Sequence, residues 1–127
     1  MSVLESFKPF NFNEGVPYVS VTNNGVTFNK SAVIKLGYPE HVILLIDEAS
    51  KRIAIQKCNG DAKNAAMFYK PKQSKVISVR WNGRDLLNTI QDMMGWDLSK
   101  EGFRTEGVLL KEDNAMLFDL TTAVILK

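Results

Sequence analysis

Apolar and polar positions alternate through Tyr18-Val-Ser-Val-Thr22 and again through Val26-Thr-Phe28, on either side of Asn23-Asn24-Gly25. Period-two alternation lays one face of a strand on a core, and an Asn-Gly pair between two such runs is the strongest local hairpin signal. The period then changes. In "FNKSAVIKLGYP", residues 28–39, Ala32, Val33 and Leu36 fall at i, i+1 and i+4, one apolar face of a short helix. Asn29 stands where a side-chain oxygen accepts a first-turn amide. Gly37 supplies the left-handed residue that often ends a helix, and Pro39 prevents its resumption. These residues predict a helix of about two turns lodged between strands.

A long hairpin follows. Residues 42–46 are a near-continuous apolar run, residues 47–51 a polar turn, and Ile53 and Ile55 alternate on the return. A continuous run predicts burial on both faces, or a strand in a closed barrel. Residues 57–75 lose periodicity and carry Gly60, Pro71 and several lysines; they read as a connector, with a short helix or strand over 62–69. The earlier order then recurs. Residues 76–79 form a strand and 82–96 a helix, with Asn82 and Asp85 placed as a capping box. Leu86, Leu87, Ile90, Met93 and Met94 make its apolar face, and Gly95 stops it. "RTEGVLLKEDNAMLFDL" is a second hairpin and "TTAVILK" a last strand.

Both halves therefore run strand, helix with a glycine stop, apolar strand, charged turn, strand. The expected fold is α+β, mostly β: a small barrel from two pseudo-repeated β-α-β-β units, whose short helices plug its ends. One domain spans residues 1–127. It comprises an N-terminal arm (1–17), a first repeat (18–57), a connector (58–75) and a second repeat (76–127). In the arm, Phe7, Phe10 and Phe12 are expected to tuck onto the core or reach a neighbouring subunit.

Residues 26–55 carry a resemblance. Their order is Val26-x-Phe28, a polar cap at Asn29, a helix over 30–36 and Leu36-Gly37. Val42-x-Leu44-x-x-Asp47, a charged turn and Ile53-x-Ile55 complete it. This resembles the AbrB-type swapped-hairpin barrels, small bacterial and archaeal DNA-binding regulators and antitoxins, to which double-psi barrels are related. In that family two βαββ copies from two subunits interleave. The resemblance implies that two copies in one chain close such a barrel alone. It also implies DNA contacts from basic side chains on the strand–helix face, here Lys30 and Lys35 in the first copy and Arg80 and Arg84 in the second.

Charge sharpens that expectation. The chain is net +2, yet residues 51–84 carry nine basic side chains against the single acid Asp61, an excess of eight that leaves −6 for the rest. Arg52, Lys70, Lys72 and Lys75 join the candidates from this stretch. Phe68, Tyr69 and Trp81, interleaved with them, are of the type that stacks on unpaired bases. The leading expectation is a non-enzymatic nucleic-acid-binding protein, a DNA binder of the bacterial or phage transcription-regulator kind. The alternative is a protein–protein interaction or assembly module, a homo-oligomer in which the acidic remainder of one copy meets the basic stretch of the next.

Catalysis is not expected. The acids are scattered, mostly in turns, the single His41 offers no triad, and no phosphate-binding glycine loop is present. No cofactor or metal site is expected, and one cysteine, Cys58, excludes an internal disulfide. No run reaches the roughly 18 apolar residues of a membrane helix. The first residues lack the basic and apolar regions of a signal peptide, so the expected location is cytoplasmic, with no membrane partner.

Overall fold

In the computed structural model, which describes residues 3–7, 15–70 and 77–126, β1 (Tyr18–Thr22) pairs with β2 (Gly25–Phe28). Thr22 lies opposite Gly25, so the turn is Asn23-Asn24 and not the Asn-Gly pair the sequence suggests. Gly25 has another task. Its φ is +143°, and a Cβ there would come within 2.6 Å of the Trp81 carbonyl oxygen. The missing side chain admits a third strand.

The short helix α1 (Lys30–Lys35) is capped by Asn29, whose Oδ1 accepts from Ala32 N–H at 3.0 Å. The same oxygen accepts from Tyr18 N–H at 2.9 Å, and Nδ2 donates to the Val16 carbonyl at 2.8 Å. One side chain thus starts the helix and ties it to the head of β1. Gly37 (φ +86°) and Tyr38 (φ +53°) turn the chain out of α1, with Tyr38 N–H donating to the Val33 carbonyl.

β3 (His41–Asp47) and β4 (Arg52–Lys57) form the second hairpin. The two-residue β5 (Ala66–Met67) and β6 (Val79–Trp81) follow, then α2 (Arg84–Met94). The helix starts later than its pattern suggests, because β6 runs on through Trp81. Gly83 is its N-cap, no side chain caps it, and the Asn82–Asp85 box does not form. Gly95, at φ +70°, ends it as expected. β7 (Gly102–Leu110) and β8 (Ala115–Asp119) make the last hairpin, and β9 (Val124–Leu126) lies beside β7.

All strand pairings are antiparallel, in the order β5-β3-β4-β8-β7-β1-β2-β6. Exchange β1 with β5, β2 with β6, β3 with β7 and β4 with β8, and this order, read as a ring, is unchanged. Register agrees. Asp47 corresponds to Leu110, Arg52 to Ala115, and Ala54 to its own ladder partner Leu117, each 63 positions on. The recurring order of elements therefore has a counterpart in strand pairing. Among the described residues the ring lacks a ladder between β5 and β6, and there Trp81 Nε1 donates to the Met67 carbonyl at 3.0 Å.

The curled sheet turns one face inward. Val19, Val21, Val26, Phe28, Ile53, Ile55, Met116 and Phe118 are fully buried on it. α1 adds Ala32 and Val33 to the same core, its C-cap adds Leu36, and α2 adds Leu87 and Ile90. Phe28 touches rings from three directions: Trp81 at 5.2 Å, Phe68 at 5.4 Å and Phe118 at 5.7 Å between centroids.

Of the two readings of the β3 run, the strand of a curled sheet is the one seen: Val42 is buried, Leu44 and Ile46 lie on the inner face opposite Ile55 and Ile53, and Leu45 on the outer face is 45% exposed. Both helices contribute to the inner face, and no described element covers the outer face of β3. Phe7 does not tuck onto the core; it is 68% exposed, while Phe10 and Phe12 lie outside the described residues.

Phe28→Ala should remove about 3–5 kcal/mol of stability in urea denaturation. A loss below about 1 kcal/mol would show that Phe28 does not anchor the core.

Candidate nucleic-acid interface

Alternation along four neighbouring strands decides what faces outward beside the β1–β2 hairpin. Val19 and Val21 point in, so Tyr18, Ser20 and Thr22 point out; Val26 and Phe28 point in, so Thr27 points out. By the same rule Arg80 projects outward between Val79 and Trp81, and Arg104 between Phe103 and Thr105. The register then aligns them. Arg104 lies opposite Ser20, Ser20 opposite Thr27, and Thr27 opposite Arg80. One cross-strand row thus has an arginine at each end, three inter-strand steps or ~14 Å apart.

Each guanidinium is held by a neutral group. Arg80 Nε donates to Thr27 Oγ1 at 3.0 Å, and the Arg104 guanidinium lies 5.0 Å from the centroid of the Tyr18 ring. Arg84, at the start of α2, reaches the same sector and donates from Nη1 to Asn23 Oδ1 at 3.3 Å. Among the described residues none of these three has a carboxylate within ion-pair distance. Their guanidiniums are positioned without an ion pair, although Glu106, opposite Tyr18, faces outward two residues from Arg104.

Arg52 is the contrast. Its Nη2 lies 3.0 Å from Asp47 Oδ2, and its Nε donates to Ser50 Oγ at 2.7 Å. Ser50 also donates through Oγ to Asp47 at 2.5 Å and through its N–H at 3.3 Å. Those bonds, Ser50 first and Arg52 second, hold the Asp47 carboxyl at about 2, well below the usual carboxylate range. Arg52 is thereby committed to its own hairpin turn.

The remaining candidates scatter. Lys30 opens α1 beyond the C-terminal end of β2, whereas Arg84 reaches the turn at its other end. Lys35 sits in the last turn of α1 and Lys70 is exposed just past β5; Lys72 and Lys75 lie outside the described residues. The basic stretch is therefore not one face: of the candidates, the structure brings together Arg80 and Arg84. The chain matches no protein-family model, no curated protein and no solved structure.

Arg104 escapes a reading by charge clusters because it lies outside residues 51–84. Its signal is local: in Phe103-Arg104-Thr105-Glu106 the arginine alternates with buried neighbours. The aromatic rings fail as stacking platforms. Phe68 is buried, Trp81 packs edge-on against Phe28 and Phe68, and Tyr69 packs against Tyr38 at 5.3 Å. His41 rests against Gly60, where a Cβ would come within 2.9 Å of the imidazole. Among the described residues no three His, Cys, Asp or Glu side chains gather as a metal site.

Asp47's depressed pKa means that its turn contributes stability above the unfolded carboxylate range and loses it as pH falls through about 2. An NMR titration of the side-chain carboxyl should find that midpoint in the native chain. It should move up toward the ordinary range when Ser50→Ala and Arg52→Ala are combined. An unshifted native midpoint would contradict the bonded turn.

Proposed function

We propose that this chain is a non-enzymatic DNA-binding protein that holds duplex phosphates against the outer face of β7, β1, β2 and β6. The observation that carries the reading is the cross-strand row ending in Arg104 and Arg80, flanked by Arg84, with no carboxylate on any of them among the described residues. Guanidiniums free of ion pairs and held on a sheet pair with phosphate oxygens and release counterions. Ser20, Thr27 and Asn23 add neutral donors between them, of the kind that position a backbone without reading sequence. Phe68 is buried and Trp81 packs edge-on against it, so Tyr18, already occupied by Arg104, is the ring beside the row; three guanidiniums against that one ring favour a duplex over a single strand. The likeness of residues 26–55 to the AbrB-type regulators supports the same reading, with Arg80 and Arg84 retained and Arg104 added.

A second reading, an assembly module, is favoured by a different observation. The opposite stretch of the outer face is apolar: Leu45, Ala54, Leu117 and Val108 lie in one row across β3, β4, β8 and β7.

Anisotropy titrations of a labelled DNA duplex over a salt series test the first reading. The triple variant Arg80→Gln, Arg84→Gln, Arg104→Gln should weaken binding at least ~10-fold. It should also flatten the log–log salt slope by about 0.9 for each phosphate no longer neutralised. Arg52→Gln should leave the slope unchanged. Absence of binding at low salt, or an unaltered slope in the triple variant, would contradict the assignment.

A further inference from the structure

We infer that β3 is a dimerisation strand, and that two copies of this chain join edge to edge through residues 43–47. β3 is laddered to β4 from Val42 to Asp47, but on its other side β5 covers only His41 and Val42. Beyond them the strand has no backbone partner on that side among the described residues. An unpaired edge is a template for another strand, and proteins that stay monomeric blunt theirs with a charge, a proline or a bulge. Ile43-Leu44-Leu45-Ile46 carries none of these. Leu45 and Ile46 remain 45% and 36% exposed.

The outer face points to the occupant. The apolar row Val108–Leu117–Ala54–Leu45 runs across four strands and ends at this edge. A strand that carries the same row onward is β3 of a second copy. Antiparallel pairing about a two-fold axis at Leu45 sets Leu45 against its own counterpart, Leu44 against Ile46, and Ile43 against Asp47. Apolar side chains then meet in all but the outermost pairs, and the row continues unbroken over both molecules. No like charges face each other. Asp47, the one charged residue of the segment, falls opposite Ile43, and its carboxylate is already bonded to Arg52 and Ser50. The pairing is isologous, so it closes after two copies and does not propagate.

This inference gives the assembly reading its partner and is separate from DNA binding, because the arginine row lies on the far stretch of the sheet. A five-residue edge is small against the roughly 1,200–2,000 Å² of a standard interface, so the dimer is weak and concentration-dependent.

Sedimentation of the full chain from micromolar to roughly millimolar concentration tests it. The native chain should shift from monomer to dimer. Leu45→Lys, at an exposed position and checked for native circular dichroism, should stay monomeric. Val108→Lys, on the same row but ~14 Å from β3, should still dimerise. In a Cys58→Ser background, Leu45→Cys should form an intermolecular disulfide faster than the exposed control Val124→Cys. Directly paired Cα atoms, ~4.5–5.5 Å apart, suit such a bridge. A native chain that stays monomeric throughout overturns the inference. So does a Leu45→Lys variant that dimerises, a Val108→Lys variant that does not, or no preferential cross-linking at position 45. Unchanged salt-dependent DNA affinity in Leu45→Lys would separate this outcome from the fate of the arginine row.

Discussion

Phe28 sits where the sheet must bend. It belongs to β2, yet its ring meets Trp81 on β6, Phe68 just past β5 and Phe118 on β8, all within 5.7 Å between centroids. β2 and β8 are not neighbours in the strand order, so a flat sheet would not bring these rings together. Edge-to-face and tilted aromatic pairs add about 0.5–1.5 kcal/mol each beyond the area they bury. The cluster therefore rewards curling, and the Trp81 indole bond to Met67 secures the gap between β5 and β6.

Curling decides everything outside. Once one face encloses Phe28 and the helix residues, the alternate positions are forced onto the outer face, and their chemistry divides. Across β7, β1, β2 and β6 the row is Arg104, Ser20, Thr27 and Arg80; across β3, β4, β8 and β7 it is Leu45, Ala54, Leu117 and Val108. The first row suits a polyanion and the second suits another protein surface. Gly25 links the two levels, because its lack of a Cβ lets β6 approach β2 and so delivers Arg80 to the row.

Local features were legible in the sequence. The Asn29 cap, the Gly37 and Gly95 stops and the three hairpins depend on residues near one another along the chain, and their spacing declares them. What depends on pairing was not legible. Nothing in the charge pattern singled out Arg104, and only register shows that it shares a row with Arg80. The uninterrupted run in β3 fitted either burial on both faces or a barrel strand, because hydropathy does not say on which face the helices will lie. Arg52 counted as a free cation by charge, although the tight turn to Asp47 and Ser50 consumes it. Trp81 read as a candidate stacking ring, although a Trp beside an apolar strand is more often core, and the strand order made it the clasp of the barrel.

The most direct test of this division is an amide NMR titration of the labelled chain with a mixed-sequence DNA duplex at low salt. Perturbations should concentrate at Arg104, Ser20, Thr27, Arg80 and Asn23, with Leu45, Ala54 and Leu117 unmoved. Perturbations centred on the apolar row, or on the Lys51–Arg52 turn, would contradict the division.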